Sequence, residues 1–188
     1  MALKLVLAPA VEPVLLADVK TALRITDTSE DTLLPSFITA ARRHCEFLTG
    51  RSFITTQWQL VLDSFDDLLE IPRPPLQVLT SINYIDVNGV SQLLAPAMYY
   101  VDGVSEPARV TPVATQWPET AFGQNNVVTV LFTSGYGAAQ AAVPMEVQQW
   151  IILAVGDLYA NRERSSAQVL QALTFADGLL DEVRLWPR

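Results

Sequence analysis

The sequence predicts an α+β protein. Its expected parts are a helical core (an αα-hairpin plus a long C-terminal helix), an inserted small antiparallel β unit and an extended C-terminal tail. Three observations carry that prediction. Apolar residues recur three or four apart in 31–51 and again after Val143. Short β-branched and aromatic runs separated by turn residues fill 53–137. The second helical period then breaks at Ser165 before apolar residues return. The expected division is a helical core in 1–52 and 138–164, a β unit in 53–137 and a tail in 165–188.

Residues 3–10 read as a short strand or ordered arm. A first helix opens near Pro13, with Leu15 or Leu16, Val19 and Leu23 at helical spacing and Arg24 near its end. The polar link TDTSED leads into the central helix, whose stripe is Leu34, Phe37, Ile38, Ala41, Cys45 and Leu48. Asp27, Ser29 and Asp31 all suit its N-cap; Pro35 is tolerated only in a first turn, which favours a start close to Asp31. Gly50 suits a left-handed C-cap. The opposite face, with Ser36, Thr39, Arg42, Arg43 and Glu46, reads as solvated or subunit-facing.

After Gly50 the texture becomes that of strands. Residues 53–62 form one, and Pro72, Pro74 and Pro75 enforce an extended entry to another containing Val78, Ile82, Tyr84 and Ile85. Asn88-Gly89 marks a hairpin turn into a return strand at 91–94. Further pieces are expected at 99–101, 108–110 and 127–132. From Val143, with Pro144 in the first turn, Val147, Trp150, Ile151, Ala154, Val155 and Leu158 make the apolar face that partners the central helix.

The totals narrow the function. The chain has 188 residues, half of them hydrophobic, and a net charge of -8. That charge argues against a nucleic-acid clamp, since neutralising phosphates needs clustered Lys and Arg. The positive mean hydropathy, +0.25, hints at apolar surface buried between subunits. One cysteine excludes an internal disulfide and a Cys-based zinc site. No uncharged apolar run is long enough to cross a bilayer, and the apolar opening stops at Pro9, too early for a signal peptide. The expected setting is a reducing cytoplasm, or something assembled there.

No constellation amounts to an active site. His44 and Cys45 are adjacent on a helix and point about 100° apart, so they make a poor nucleophile–base pair. Asp63, Asp66, Asp67 and Glu70 form the one acidic cluster, without the glycine and alternating ligands of an EF-hand loop. Ser134-Gly135-Tyr136-Gly137 lacks the Lys-Ser/Thr of a phosphate loop and reads as a tight strand-to-helix connection. Trp58, Trp117, Trp150 and Trp186 are scattered, as packing residues are. No metal and no cofactor are implied. Two other readings stay open: a cation-dependent small enzyme using Asp63, Asp66 and Asp67, and a monomeric β-type module gripping a peptide or glycan.

A set of short motifs points further. Glu12-Pro13-Val14, Leu16, Leu23-Arg24, Ala40-Ala41-Arg42 and Thr49-Gly50-Arg51 recur in order with Pro72-Arg73-Pro74-Pro75-Leu76. Ser105-Glu106-Pro107, Gly135-Tyr136-Gly137, Val143-Pro144, Trp150 and Tyr159-Ala160-Asn161-Arg162-Glu163 follow. The chain resembles the long-form head–tail connector (adaptor, or head-completion) proteins of tailed bacteriophages, prophages and gene transfer agents. Pro35, inside the early central helix, departs from that pattern.

The resemblance implies a virion structural protein rather than an enzyme. Such a protein forms a ring, of twelve copies by analogy, at the head–tail interface, between the portal and tail or stopper proteins. It is assembled in the bacterial host cytoplasm, and packaged DNA passes through without specific recognition. The tail is then expected to dock on the portal through Leu179, Leu180, Leu185 and Trp186, and Arg42 and Arg43 are expected at the ring interface.

Overall fold

Val128–Ser134 alternates buried and half-buried side chains along a β-branched run, the pattern of a strand in the middle of a sheet. In the computed structural model, which describes residues 1–66, 68–161, 176 and 178–185, it is β8, flanked on both sides. The earlier strands are β1 (Ala2–Leu7), β2 (Thr56–Leu62), β3 (Leu69–Ile71), β4 (Leu76–Ile85), β5 (Ser91–Leu93), β6 (Tyr99–Asp102) and β7 (Ala108–Pro112). Among the described residues, helices α1 (Leu16–Leu23), α2 (Leu34–Thr49) and α3 (Met145–Ala160) can be followed end to end. The protein is thus mixed α and β, with antiparallel sheets.

The chain divides into two compact units. One comprises Met1–Ala10 and Thr55–Tyr136. It holds a five-stranded sheet in the order β1-β2-β8-β4-β5 and a three-stranded sheet in the order β3-β7-β6. Leu60, Ile82, Val130 and Phe132 of the larger sheet and Leu69, Ile71, Ala108 and Val110 of the smaller form one buried cluster. The β4–β5 turn is built as the Asn-Gly signal demands: Gly89 has φ 78°, and Asp86 receives the backbone N–H groups of Asn88 and Val90 on its carboxylate.

The other unit comprises Val11–Ile54 and Gly137–Arg188. Here α2 packs along α3, and α1 chiefly on α3. Leu34, Ile38, Ala41 and Cys45 of α2 are buried, as are Val147, Trp150, Ile151 and Val155 of α3. No side chain caps the start of α2. A good N-cap contributes about 1 kcal/mol, whereas burying Leu34 and Ile38 contributes about 1.5–3 kcal/mol each, so packing decides where this helix forms. Pro35 sits in its first turn, where the missing N–H has no partner to lose. Gly50 ends it in a left-handed conformation with φ 74°.

Several elements differ from expectation. The first ten residues do not join the helices: β1 pairs antiparallel with β2, Leu3 opposite Leu60. Phe53 and Ile54, expected at the start of a strand, are buried in the helical unit, and β2 begins at Thr56. β3 adds a strand to the expected set; with only Leu69 and Ile71 turned inward, so short a strand shows no clear alternation in sequence. α1, expected to form a hairpin with α2, lies mainly on α3, where a Cβ on Gly156 would come within 3.1 Å of Leu23. α2 starts three residues beyond Asp31, which leaves none of the three expected N-caps at its first turn.

Candidate assembly surfaces

The helical unit takes Arg42 and Arg43 apart. Arg42 is turned inward, and its side chain is only 8% exposed. Its Nε donates to Glu12 Oε2 at 2.7 Å and its Nη1 to Glu46 Oε2 at 2.9 Å. Thr39 Oγ1 donates to the other Glu12 oxygen at 2.8 Å. One guanidinium therefore holds the segment before α1 against α2, with a planar fork suited to two carboxylates. The expectation of a solvated or subunit-facing Arg42 and Glu46, with Arg42 at a ring interface, is corrected: both are buried and serve the fold of their own chain. Arg43 is exposed and has no hydrogen-bond or ion-pair partner among the described residues.

The stretch after residue 175 is described only at 176 and 178–185. Leu180 is fully buried, so it is occupied inside the helical unit rather than offered to a partner. Leu185 is half-buried: its N–H donates to the Thr49 carbonyl at 3.0 Å, and its side chain lies against Gly50, where an added Cβ would come within 3.3 Å of Cδ1. Arg51 Nε donates to the carbonyl of Val183. Leu179 is half-buried, and Trp186 lies outside the described residues.

Among the described residues, Asp63, Asp66 and Glu70 do not converge. Asp63 accepts the Asn126 N–H at 2.9 Å and tethers a loop. Glu70 faces Arg109 on the paired strand, 4.0 Å away. At Asp66 it is the backbone carbonyl that is engaged, by Trp117 Nε1 at 2.9 Å, while Asp67 lies outside the described residues. Among the described residues no group of three or more His, Cys, Asp or Glu is placed to hold a metal ion.

Trp117 stacks on Phe65 with ring centroids 4.7 Å apart, beside an open cleft of about 560 Å³ lined by Ser64, Phe65, Thr115, Trp117 and Glu119. Trp58 carries the Arg73 guanidinium over its ring, and Trp150 packs on His44 at 5.8 Å. Cys45 is buried and reduced. The Gly135–Gly137 connection is tight: the Gly135 N–H donates to the Pro75 carbonyl, and a Cβ on Gly137 would stand 2.6 Å from that of Ala142. Among the described residues no helix is long and apolar enough to cross a membrane.

The contacts named above hold and pack each of the two units. Residues 14–90 match the family of phage gp6-like head-tail connector proteins. That span runs from α1 through β4 to the turn at Gly89. No curated protein matches.

Among solved structures, a chain in the "Neck of empty GTA particle computed with C6 symmetry" aligns with TM-score 0.84 and 22% identity, over 100% of this chain and 97% of that one. A chain of the "Virion of native gene transfer agent (GTA) particle" gives 0.82 and 24% over the same shares. One from the "Neck of native GTA particle computed with C12 symmetry" gives 0.77 and 23%, again over 100% and 97%. The whole chain thus has the fold of a gene transfer agent neck component.

Proposed function

We propose that this chain is a head–tail connector, a structural protein of a virion neck. Copies of it form a ring, twelve by analogy with the C12 neck, that joins the portal to tail or stopper proteins. The observation that carries this reading is the connector-family match over 14–90 together with a neck-component fold along the entire chain. The charge is compatible: at -8 the protein repels the backbone of DNA moving through a channel instead of retaining it. The role asks for surfaces and not for catalysis, which suits acidic side chains spent on tethering loops and pairing strands.

Docking on the portal falls to the end of the chain. With Leu180 committed to its own core, Leu179, Leu185 and Trp186 remain as the apolar anchors. Mixing the full chain with its cognate portal and imaging the product tests the role; a ring of this protein seated on the portal is expected, and no complex at any ratio contradicts it. Leu179→Asp, with the fold checked by circular dichroism, should abolish that complex. Unchanged binding by a folded Leu179→Asp chain overturns the docking assignment.

A further inference from the structure

The exposed side of α2 inverts the usual distribution of residues. Arg42 is buried while Phe47, five residues further, is 75% exposed. Phe47 belongs to a stripe with Ser36, Ala40 and Arg43, all exposed and spaced four, three and four apart, which puts them above one another on a single face. On α3 a second stripe has matching spacing: Glu146, Gln149, Leu153 and Asp157, with Leu153 half-buried and the other three exposed. Both stripes lie in the helical unit, on helix faces other than those buried in the α2–α3 contact.

We infer that these stripes are the two halves of one contact between copies of this chain, in which Arg43 and Phe47 of one subunit seat on Asp157 and Leu153 of the next. The inference rests on the ring reading above and names its surfaces. Charge selects the occupant: the α2 stripe carries an exposed cation with no partner among the described residues, and the α3 stripe carries two exposed carboxylates. The Asp157 carboxylate accepts one bond from Asn161 Nδ2, on Oδ1, and among the described residues Oδ2 has no donor, which leaves it for a guanidinium. Register then follows from helix geometry. Phe47 is one turn after Arg43, and Leu153 one turn before Asp157, so pairing both at once makes the helices run antiparallel. Two different patches meeting head to tail give a heterologous contact, the kind that closes into a ring.

Disulfide trapping tests this with the full chain. A Phe47→Cys/Leu153→Cys double variant, oxidised at high protein concentration, should give a ladder of covalent multimers beyond the dimer; each single variant should stop at the dimer. The native Cys45 is fully buried and stays out of the reaction. Adding Arg43→Glu should erase the ladder, and adding Asp157→Arg to that variant should restore it. A double variant that gives nothing beyond dimers overturns the contact, and so does charge reversal without rescue. If such a chain still assembles into multi-copy rings on the portal, the contact alone is wrong and the connector role stands; if the wild-type chain forms no multimer on the portal, the role itself fails.

Discussion

Arg42 and Arg43 are neighbours in sequence with opposite fates, because about 100° of helix rotation turns one toward Glu12 and Glu46 and the other toward solvent. Arg42→Ala leaves two carboxylates without their shared cation in a largely dry place. It should cost about 3–5 kcal/mol by urea denaturation, whereas Arg43→Ala should change stability by less than about 0.5 kcal/mol. A second residue-scale test concerns Asp86. Hydrogen bonds from the Val90 N–H first, then from the Gln92 amide and the Asn88 N–H, hold its carboxyl below the ordinary aspartate value of 3.8. A depressed folded pKa means the turn gains stability above the unfolded value and loses it as pH falls through the folded one. The Val90 amide resonance should therefore titrate below pH 3.8, and Asp86→Ala should remove that step.

At the scale of elements, the segment 178–185 is part of the helical unit and not a free appendage. Leu180→Ala should cost about 2–5 kcal/mol, as deletion of a fully buried leucine does. Gly50→Ala should cost about 1–2 kcal/mol for its left-handed φ alone, with the Leu185 contact at 3.3 Å adding to it. Truncation after Arg164 is for the same reason expected to lower the unfolding midpoint of the helical unit as well as portal binding. The apolar, core-facing sides of α2 and α3 were legible because each repeats a helical period over sixteen residues. The β4–β5 hairpin was legible from Asn88-Gly89, a turn signal of two residues. What stayed hidden depends on partners far along the chain. Glu12 lies thirty residues before Arg42, and nothing local says that the pair will be buried together. β1 declares its sheet only through β2, some fifty residues on, and Leu180 reads as an exposed anchor although it is fully buried in the helical unit.

For the whole molecule, the described members of the acidic cluster, Asp63, Glu70 and Asp66, are dispersed into a loop tether, a cross-strand pair and a backbone contact. What remains is surface: an exposed Phe47 beside an Arg43 with no hydrogen-bond or ion-pair partner among the described residues. A monomer gains nothing from such features, while a subunit with neighbours on two sides does. The most direct measurement is an asymmetric reconstruction of particles assembled with this chain. It should place copies of both units around the particle axis where head meets tail, with α2 of each copy facing α3 of the next. Density for a single copy, or for copies away from that junction, contradicts the connector role.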